Sequence, residues 1–187
     1  MNGAVVWHGA CPPAWPAWAR NWATTRGSLT QRLLGLGLGF EVQPVMQGLT
    51  NITAPNGQPA QSQALGRMRC RRVRLKVAGE PVVLAQTLVT LRGPRNDWRF
   101  WRGLGQRSLG SVLFADPTVV RGPLFFASLP ARHPWVLALL DQPEAARVLQ
   151  QPAGKHWYAR CARFERRNGH TPLWVMEVFL PQLQHHC

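Results

Sequence analysis

The sequence has few cysteines and no long apolar run, and these shortages exclude several protein classes. Its four cysteines, Cys11, Cys70, Cys161 and Cys187, form no CxxC pair and show no spacing typical of metal ligands. The first residues, MNGAVVWHGACPP, lack the basic start and apolar segment of a secretion signal. No apolar run approaches the ~20 residues that a membrane-spanning helix needs. We therefore expect a cytoplasmic protein with reduced thiols and no metal site.

Acidic residues are also scarce. Eight Asp and Glu residues stand against 22 Lys and Arg residues, which gives a net charge of +14 and a pI near 11.6. Such a chain attracts anions, whether nucleic acid, anionic lipid or small carboxylates. The basic residues are mostly scattered arginines without an RNA-binding signature, so we expect no nucleic-acid partner. The charge permits peripheral contact with an anionic membrane.

The length and composition indicate one folded domain over residues 1–187. Hydrophobic residues make up 45% of the chain and nine residues are tryptophan, which is enough for a substantial core. The 16 prolines and 17 glycines favour short elements and many turns, so a long helical bundle is disfavoured.

Several short helices are predicted. Trp15, Trp18 and Trp22 recur at helical spacing with Pro16 near the helix start, and we expect them in the core. Ser28 and Gln31 then fit a capping box that opens a second helix, SLTQRLLG. Further helical segments are SLGSVLF and HPWVLALLDQPEAARVL, and the closing QLQHHC is interpreted as a frayed tail.

About six strands are predicted. The two clearest hairpins join RMRCRRVRLKV to PVVLAQTLVTL and HWYARCARFERR to HTPLWVMEVFLP, the second through the turn dipeptide Asn168-Gly169. FEVQPVMQ and PTVVRGPLFFA supply two more strands, and polar residues 50–66 form a surface loop. These elements predict an α+β domain with a mostly antiparallel sheet.

A single carboxylate, Glu177, stands in the otherwise apolar run PLWVMEVFLP. By strand alternation Arg71 shares a face with Val73, Leu75 and Val77, whereas the face with Cys70, Arg72, Arg74 and Lys76 should meet water. Each hairpin thus carries one charge on an apolar face. Either Arg71 and Glu177 form a structural salt bridge, or they bind opposite ends of a polar ligand in a cavity.

The chain resembles the chorismate lyase family in four stretches that occur in the family's order: GSLTQRL (27–33), RRVRL with GEPVVLAQTLV, LGQRSLGSVLF (104–114), and ARCARFERRNGHTPLWVMEVFLP (159–181). The resemblance implies a six-stranded antiparallel sheet whose helical flaps cover an internal ligand pocket. It also implies that the protein is a lyase, which we expect to be a monomer. Such a lyase converts chorismate to 4-hydroxybenzoate and pyruvate, the first committed step of ubiquinone biosynthesis, without a cofactor.

The resemblance assigns roles to four residues. Arg71 falls on the arginine that holds the ring carboxylate, and the main-chain amides of Leu29 and Leu109 assist it. Glu177 falls at the phenol end, where it either accepts the ring hydrogen or, if protonated, assists the leaving oxygen. Arg71 and Glu177 are thus the predicted catalytic residues.

Two departures from the family pattern stand out. Gln86 occupies a position where an arginine near the pocket is expected, and residues 127–156 look like a family-variable insertion.

Two other functions compete with the lyase. A non-catalytic sensor of small carboxylates has the same general fold in the effector domains of bacterial regulators. Those domains follow a DNA-binding segment, and only about 30 residues precede the capping-box helix here, so the lyase is favoured. A basic nucleic-acid-binding protein would instead show binding that weakens steeply with salt.

Overall fold

Six antiparallel strands form one sheet in the computed structural model of the chain, which describes residues 5–52, 66–91, 97–130, 133–140, 143, 156–169 and 171–186. The strands lie in the order β1-β2-β3-β6-β5-β4. Their bounds are β1 Phe40–Ile52, β2 Gly66–Val77, β3 Glu80–Thr90, β4 Val119–Pro130, β5 His156–Arg166 and β6 Leu173–Phe179. The predicted α+β class, single domain and antiparallel sheet are confirmed.

Both predicted hairpins are present. The β2–β3 turn has Ala78 and Gly79 at φ 51° and 80°, the left-handed pair that suits the twist of a two-residue hairpin. The connection of the β5–β6 hairpin begins with a turn centred on Arg167 and Asn168, in which Gly169 N donates to Arg166 O at 2.9 Å. The last strand, β6, pairs with β3 on one side and β5 on the other, so it joins the two hairpins into one sheet.

The described residues include four short α-helices beside the sheet: α1 Ala17–Ala23, α2 Leu29–Leu34, α3 Leu109–Ala115 and α4 Pro134–Leu137. The predicted cap of α2 is present, because Ser28 Oγ accepts a hydrogen bond from Gln31 N at 3.3 Å. Ser108 caps α3 in the same way, accepting from Ser111 N at 3.1 Å. We call the sheet face covered by α1, α2 and α3 the first face, and the face covered by α4 the second face.

The second face is buried, which corrects one expectation. Cys70 and Arg74 were predicted to meet water, but they are 0% and 4% exposed. The reason is that residues 133–140 pack on this face, where Arg74 Nε donates to Leu139 O at 2.8 Å. Burial also raises the pKa of the Cys70 thiol to about 11. The sheet is therefore covered on both sides and its strands lack a simple polar face.

The end of the chain corrects a second expectation. Pro181–His186 form a 3₁₀ helix with Leu183 fully buried, so this segment is not frayed. Most of the predicted 50–66 loop and the later part of the predicted helix HPWVLALLDQPEAARVL lie outside the described residues. In the part of the chain that the structure describes, no helix has the length and apolar character needed to cross a membrane.

Candidate functional site

A cavity that is partly open to solvent lies between the first face of the sheet and the helices α2 and α3. Aliphatic and aromatic side chains form most of its walls. Four charged side chains also line it: Arg71 from β2, Glu177 from β6, Arg160 from β5 and Arg121 from β4. The floor is thus built by strands and the roof by two helix starts.

All four residues singled out from the sequence line this cavity: Arg71, Glu177, Leu29 and Leu109. The salt bridge considered between Arg71 and Glu177 is not formed. Arg71 lies opposite Thr87 and Glu177 lies opposite Ala85 on the intervening strand β3. Two strand spacings and a two-residue offset put the Cα atoms of Arg71 and Glu177 about 12 Å apart. A small molecule can lie between the two charges.

Arg71 is 3% exposed, yet it contacts no carboxylate among the described residues. Its Nη1 donates to Gln47 Oε1 at 2.8 Å, and its Nη2 donates to the main-chain oxygens of Gly105 at 2.9 Å and Arg107 at 3.2 Å. These bonds use three of its N–H groups and leave two for a ligand. Burial lowers the pKa of Arg71. A buried guanidinium held only by neutral oxygens is a strong site for an anion.

The turn before α3 shapes the Arg71 contacts. Gly105 has φ 49°, a left-handed conformation that other residues adopt at a cost. Arg107 N closes the turn by donating to Leu104 O at 2.7 Å, and Leu104 is buried. The stretch LGQRS therefore anchors a turn, directs two carbonyl groups at Arg71 and ends in the Ser108 cap of α3.

Glu177 is paired with Arg160, a residue that the sequence analysis missed. Arg160 Nε donates to Glu177 Oε2 at 2.5 Å, and Arg160 Nη1 donates to Ala23 O at 3.0 Å and Thr25 O at 3.1 Å. Arg160 is 3% exposed. The guanidinium therefore ties the carboxylate to the connection between α1 and α2, and Glu177 Oε1 has no partner among the described residues.

Arg121 is the third cavity arginine and was also missed. Its Nη2 donates to Arg26 O at 2.5 Å and its Nη1 to Gly27 O at 3.4 Å. Its guanidinium also lies 5.7 Å from the centre of the Phe114 ring on α3. Arg121 therefore contacts the segments that carry both roof helices.

The two roof helices meet above the cavity. Ser108 Oγ donates to Thr30 Oγ1 at 2.8 Å, and a side chain at Gly110 would meet Thr30 Oγ1 at 2.7 Å. Leu29 and Leu109 are the first residues of α2 and α3, where main-chain amides have no acceptor within the helix. Both helix starts thus face the space above the charged floor.

Gln86 does not line the cavity, although the sequence analysis placed it near the pocket. Its neighbours Ala85 and Thr87 line the cavity, so strand alternation directs Gln86 to the second face. There it is 3% exposed and accepts from Arg72 Nε at 2.8 Å. Gln86 therefore belongs to the second face and does not contribute to the lining of the cavity.

The charged side chains give the cavity a net positive charge. Among the described lining residues, three guanidinium groups and one carboxylate give a net charge of +2, which matches a small dianion. In the described part of the chain, no group of three His, Cys, Asp or Glu side chains is arranged to hold a metal ion.

A family model and individual known sequences that are similar to this chain agree with each other. A family model described as chorismate lyase matches residues 3–186. A protein from Cupriavidus pinatubonensis named "probable chorismate pyruvate-lyase" is 38% identical over 176 residues, covering 91% of this chain and 84% of that protein. Proteins with the same name from Ralstonia nicotianae and Nitrosomonas europaea are 38% and 33% identical. Each match covers 98% of this chain, and it covers 95% of the Ralstonia protein and 98% of the Nitrosomonas protein.

Solved structures with a similar fold include the effector domain of PhnF from Mycobacterium smegmatis. It has a TM-score of 0.50 and 14% identity, covering 83% of this chain and 90% of that domain. A second structure of PhnF has a TM-score of 0.51 and 14% identity, covering 85% of this chain and 66% of that chain. At this identity the likeness shows a shared fold and no shared activity.

Proposed function

This chain belongs to the chorismate lyase family, and from that premise we propose that it converts chorismate to 4-hydroxybenzoate and pyruvate. We place this reaction at the first committed step of ubiquinone biosynthesis. The observation that carries the proposal is Arg71, a buried cation in the cavity whose partners among the described residues are all neutral. Chorismate is a dianion, so the net +2 of the cavity supports the same substrate.

Arg71 binds the ring carboxylate in this proposal. Arg71 donates to that carboxylate through an N–H group that its protein partners leave unused, and the amides of Leu29 and Leu109 add donors from the roof. The apolar walls exclude water from the ring. The ring is then fixed at one end, with its hydroxyl end towards Glu177.

The reaction breaks the ether bond between the ring and the enolpyruvyl group and removes a proton from the ring carbon that bears the hydroxyl. The C–H electrons complete the aromatic ring, and the enolpyruvyl fragment takes up a proton to become pyruvate. Glu177 accepts the ring proton through Oε1, because Oε2 is already engaged by Arg160. Aromatisation supplies the driving force, so the protein contributes orientation and charge stabilisation.

Pyruvate release from purified protein and chorismate tests the function. It is followed by coupling to lactate dehydrogenase and NADH oxidation, with 4-hydroxybenzoate quantified separately. Glu177→Gln removes the proton acceptor but keeps the side-chain shape, and we expect kcat to fall about 10²- to 10⁴-fold. The matched control is Glu41→Gln on β1, which changes an exposed glutamate away from the cavity. Near wild-type turnover of Glu177→Gln would show that the proton role is wrong.

A sensor of small carboxylates is the alternative function. The shared fold with the PhnF effector domain makes ligand binding without turnover a coherent competitor. A sensor would bind 4-hydroxybenzoate or chorismate with loss of affinity in Arg71→Gln, yet would release no pyruvate. The same coupled assay therefore separates the two functions.

A further inference from the structure

We propose that Arg121 binds the second carboxylate of the substrate, the one carried by the enolpyruvyl group. The inference rests on the proposed lyase function and assigns Arg121 to a part of the substrate that the product 4-hydroxybenzoate lacks. Arg121 is then a specificity-determining residue that distinguishes substrate from product.

The position of Arg121 on the sheet fits this role. It enters the cavity from β4, whereas Arg71 enters from β2, and strands β3, β6 and β5 lie between them. On β5, the partner strand of β4, Phe164 pairs with Arg121, and the same strand carries Arg160 opposite Glu177. In strand order the Glu177–Arg160 pair therefore lies between the two outer arginines, while along β5 Arg160 stands four residues from Phe164, the residue opposite Arg121.

The contacts of Arg121 leave its charge uncompensated by any carboxylate bond. Its two hydrogen bonds go to the main-chain oxygens of Arg26 and Gly27, and no ion pair joins it to an acidic side chain in the described ranges. These bonds use two of its N–H groups and leave three. The carbonyl groups fix where the guanidinium lies, and the Phe114 ring lies beside it.

Each end of the cavity carries one net positive charge. Arg71 contributes one positive charge at the β2 side. At the other side Arg160 is balanced by Glu177, so Arg121 leaves one further positive charge. Burial lowers the pKa of Arg121, the charge of Arg160 lowers it further, and Glu177 opposes this. An anion bound at Arg121 would relieve the repulsion between Arg121 and Arg160.

The chemistry of the substrate supplies two separated anions. One carboxylate sits on the ring and remains in 4-hydroxybenzoate, and the other sits on the enolpyruvyl group and leaves in pyruvate. If Arg71 holds the first and Arg121 holds the second, the ether bond between ring and side chain lies over the Glu177–Arg160 pair. This arrangement brings the ring proton and the departing oxygen to the same part of the floor.

Arg121→Gln tests the proposal through a difference between substrate and product. We expect KM for chorismate to rise about 10- to 100-fold, the usual effect of losing a charged hydrogen bond. The Kd for 4-hydroxybenzoate, measured by calorimetry, should change less than about 2-fold, because the product has no enolpyruvyl carboxylate. Arg121→Lys keeps the charge and should recover part of the loss in KM. Arg71→Gln should weaken both ligands.

The matched control is Arg163→Gln, which removes a positive charge from β5 outside the cavity lining and should leave both constants unchanged. Unaltered Kd for 4-hydroxybenzoate also shows that Arg121→Gln is folded. Suppose that the wild type is active and that Arg121→Gln raises KM for chorismate and Kd for 4-hydroxybenzoate equally, or changes neither. The role of Arg121 is then wrong, while the proposed lyase function stands. A wild type that releases no pyruvate would overturn the proposed function and this inference together.

Discussion

Removing Arg160 should destabilise the protein strongly, because Arg160 is the counter-ion of a carboxylate inside the cavity. Arg160→Met keeps most of the aliphatic length of the side chain and removes the guanidinium. The variant leaves Glu177 without its cationic partner and leaves Ala23 O and Thr25 O without their donor. Both members of the pair are well buried, with side chains 4% and 16% exposed, so solvent replaces little of the lost interaction.

Breaking a buried ion pair from one side costs about 3–5 kcal/mol. A domain of this size has about 5–15 kcal/mol of stability in total, so Arg160→Met should fold but be marginal. At about 2–4 °C per kcal/mol, Tm should fall by roughly 10 °C. The double variant Arg160→Met with Glu177→Gln removes the stranded charge and should recover part of the loss. The two carbonyl groups remain without a donor, so the recovery is incomplete.

Urea unfolding of the wild type, both single variants and the double variant gives the coupling energy between Arg160 and Glu177. We expect the double variant to lose at least about 1 kcal/mol less than the sum of the single losses. Arg163→Gln serves as the control, because its partner Glu165 is half exposed and the pair contributes little. A loss below about 1 kcal/mol in Arg160→Met, or additive single losses, would refute the argument.

Two further predictions concern the second face and the roof. His133 is 6% exposed, and burial lowers its pKa from 6.5. The unfolded chain therefore binds a proton at this residue more readily than the folded chain does. As a result, the free energy of unfolding should fall as the pH drops below about 6.5. His133→Asn should flatten this slope in urea titrations between about pH 7 and 5, and an unchanged slope would exclude His133 as its source. Gly110→Ala would place a methyl group 2.7 Å from Thr30 Oγ1 and should cost about 1–3 kcal/mol of unfolding free energy. Because Thr30→Ala also removes the acceptor of Ser108, the test is a cycle: Gly110→Ala should cost less in the Thr30→Ala background than in the wild type, and an equal cost in both would locate the strain elsewhere.

Hairpins and helix caps could be predicted from the sequence because their signals are local. The Asn168-Gly169 turn and the Ser28 cap each depend on a few neighbouring residues. The strand order depends on a distant pairing instead. Strand β6 lies between β3 and β5, and no local pattern in the sequence states that β3 is its second neighbour. The same limit hides the cover of the second face by residues 133–140.

Arg160 could have been found by the argument that found Arg71. In HWYARCARFERR, strand alternation places Arg160 on one face with Tyr158, Ala162 and Phe164, so it is a charge on an otherwise apolar face. The same alternation sends Gln86 away from Ala85 and Thr87, and therefore away from the cavity. The sequence pattern was therefore sufficient to predict the sides of the sheet on which Arg160 and Gln86 lie.

Arg121 could not have been found in this way. Between Arg121 and Leu124 the register of β4 shifts, and three steps on β4 match two steps on β5 from Phe164 to Ala162. The bulge changes which residues face the cavity, so simple alternation would place Arg121 and Leu124 on opposite faces. Both residues line the cavity in the structure. A bulge next to a site is a common way to direct one side chain into it.

The cavity arginines are positioned mainly by neutral main-chain oxygens, which is consistent with the shortage of acidic residues in the sequence. Main-chain oxygens from the roof segments hold all three guanidinium groups: those of Gly105 and Arg107 for Arg71, Ala23 and Thr25 for Arg160, and Arg26 and Gly27 for Arg121. Neutral acceptors fix the position of a guanidinium without cancelling its charge. Carboxylates in the same places would also fix the geometry but would remove the net positive charge of the cavity and with it the affinity for a dianion. The chain has eight acidic residues, and among the described residues Glu177 is the one that lines the cavity, so the site remains cationic until an anionic ligand binds.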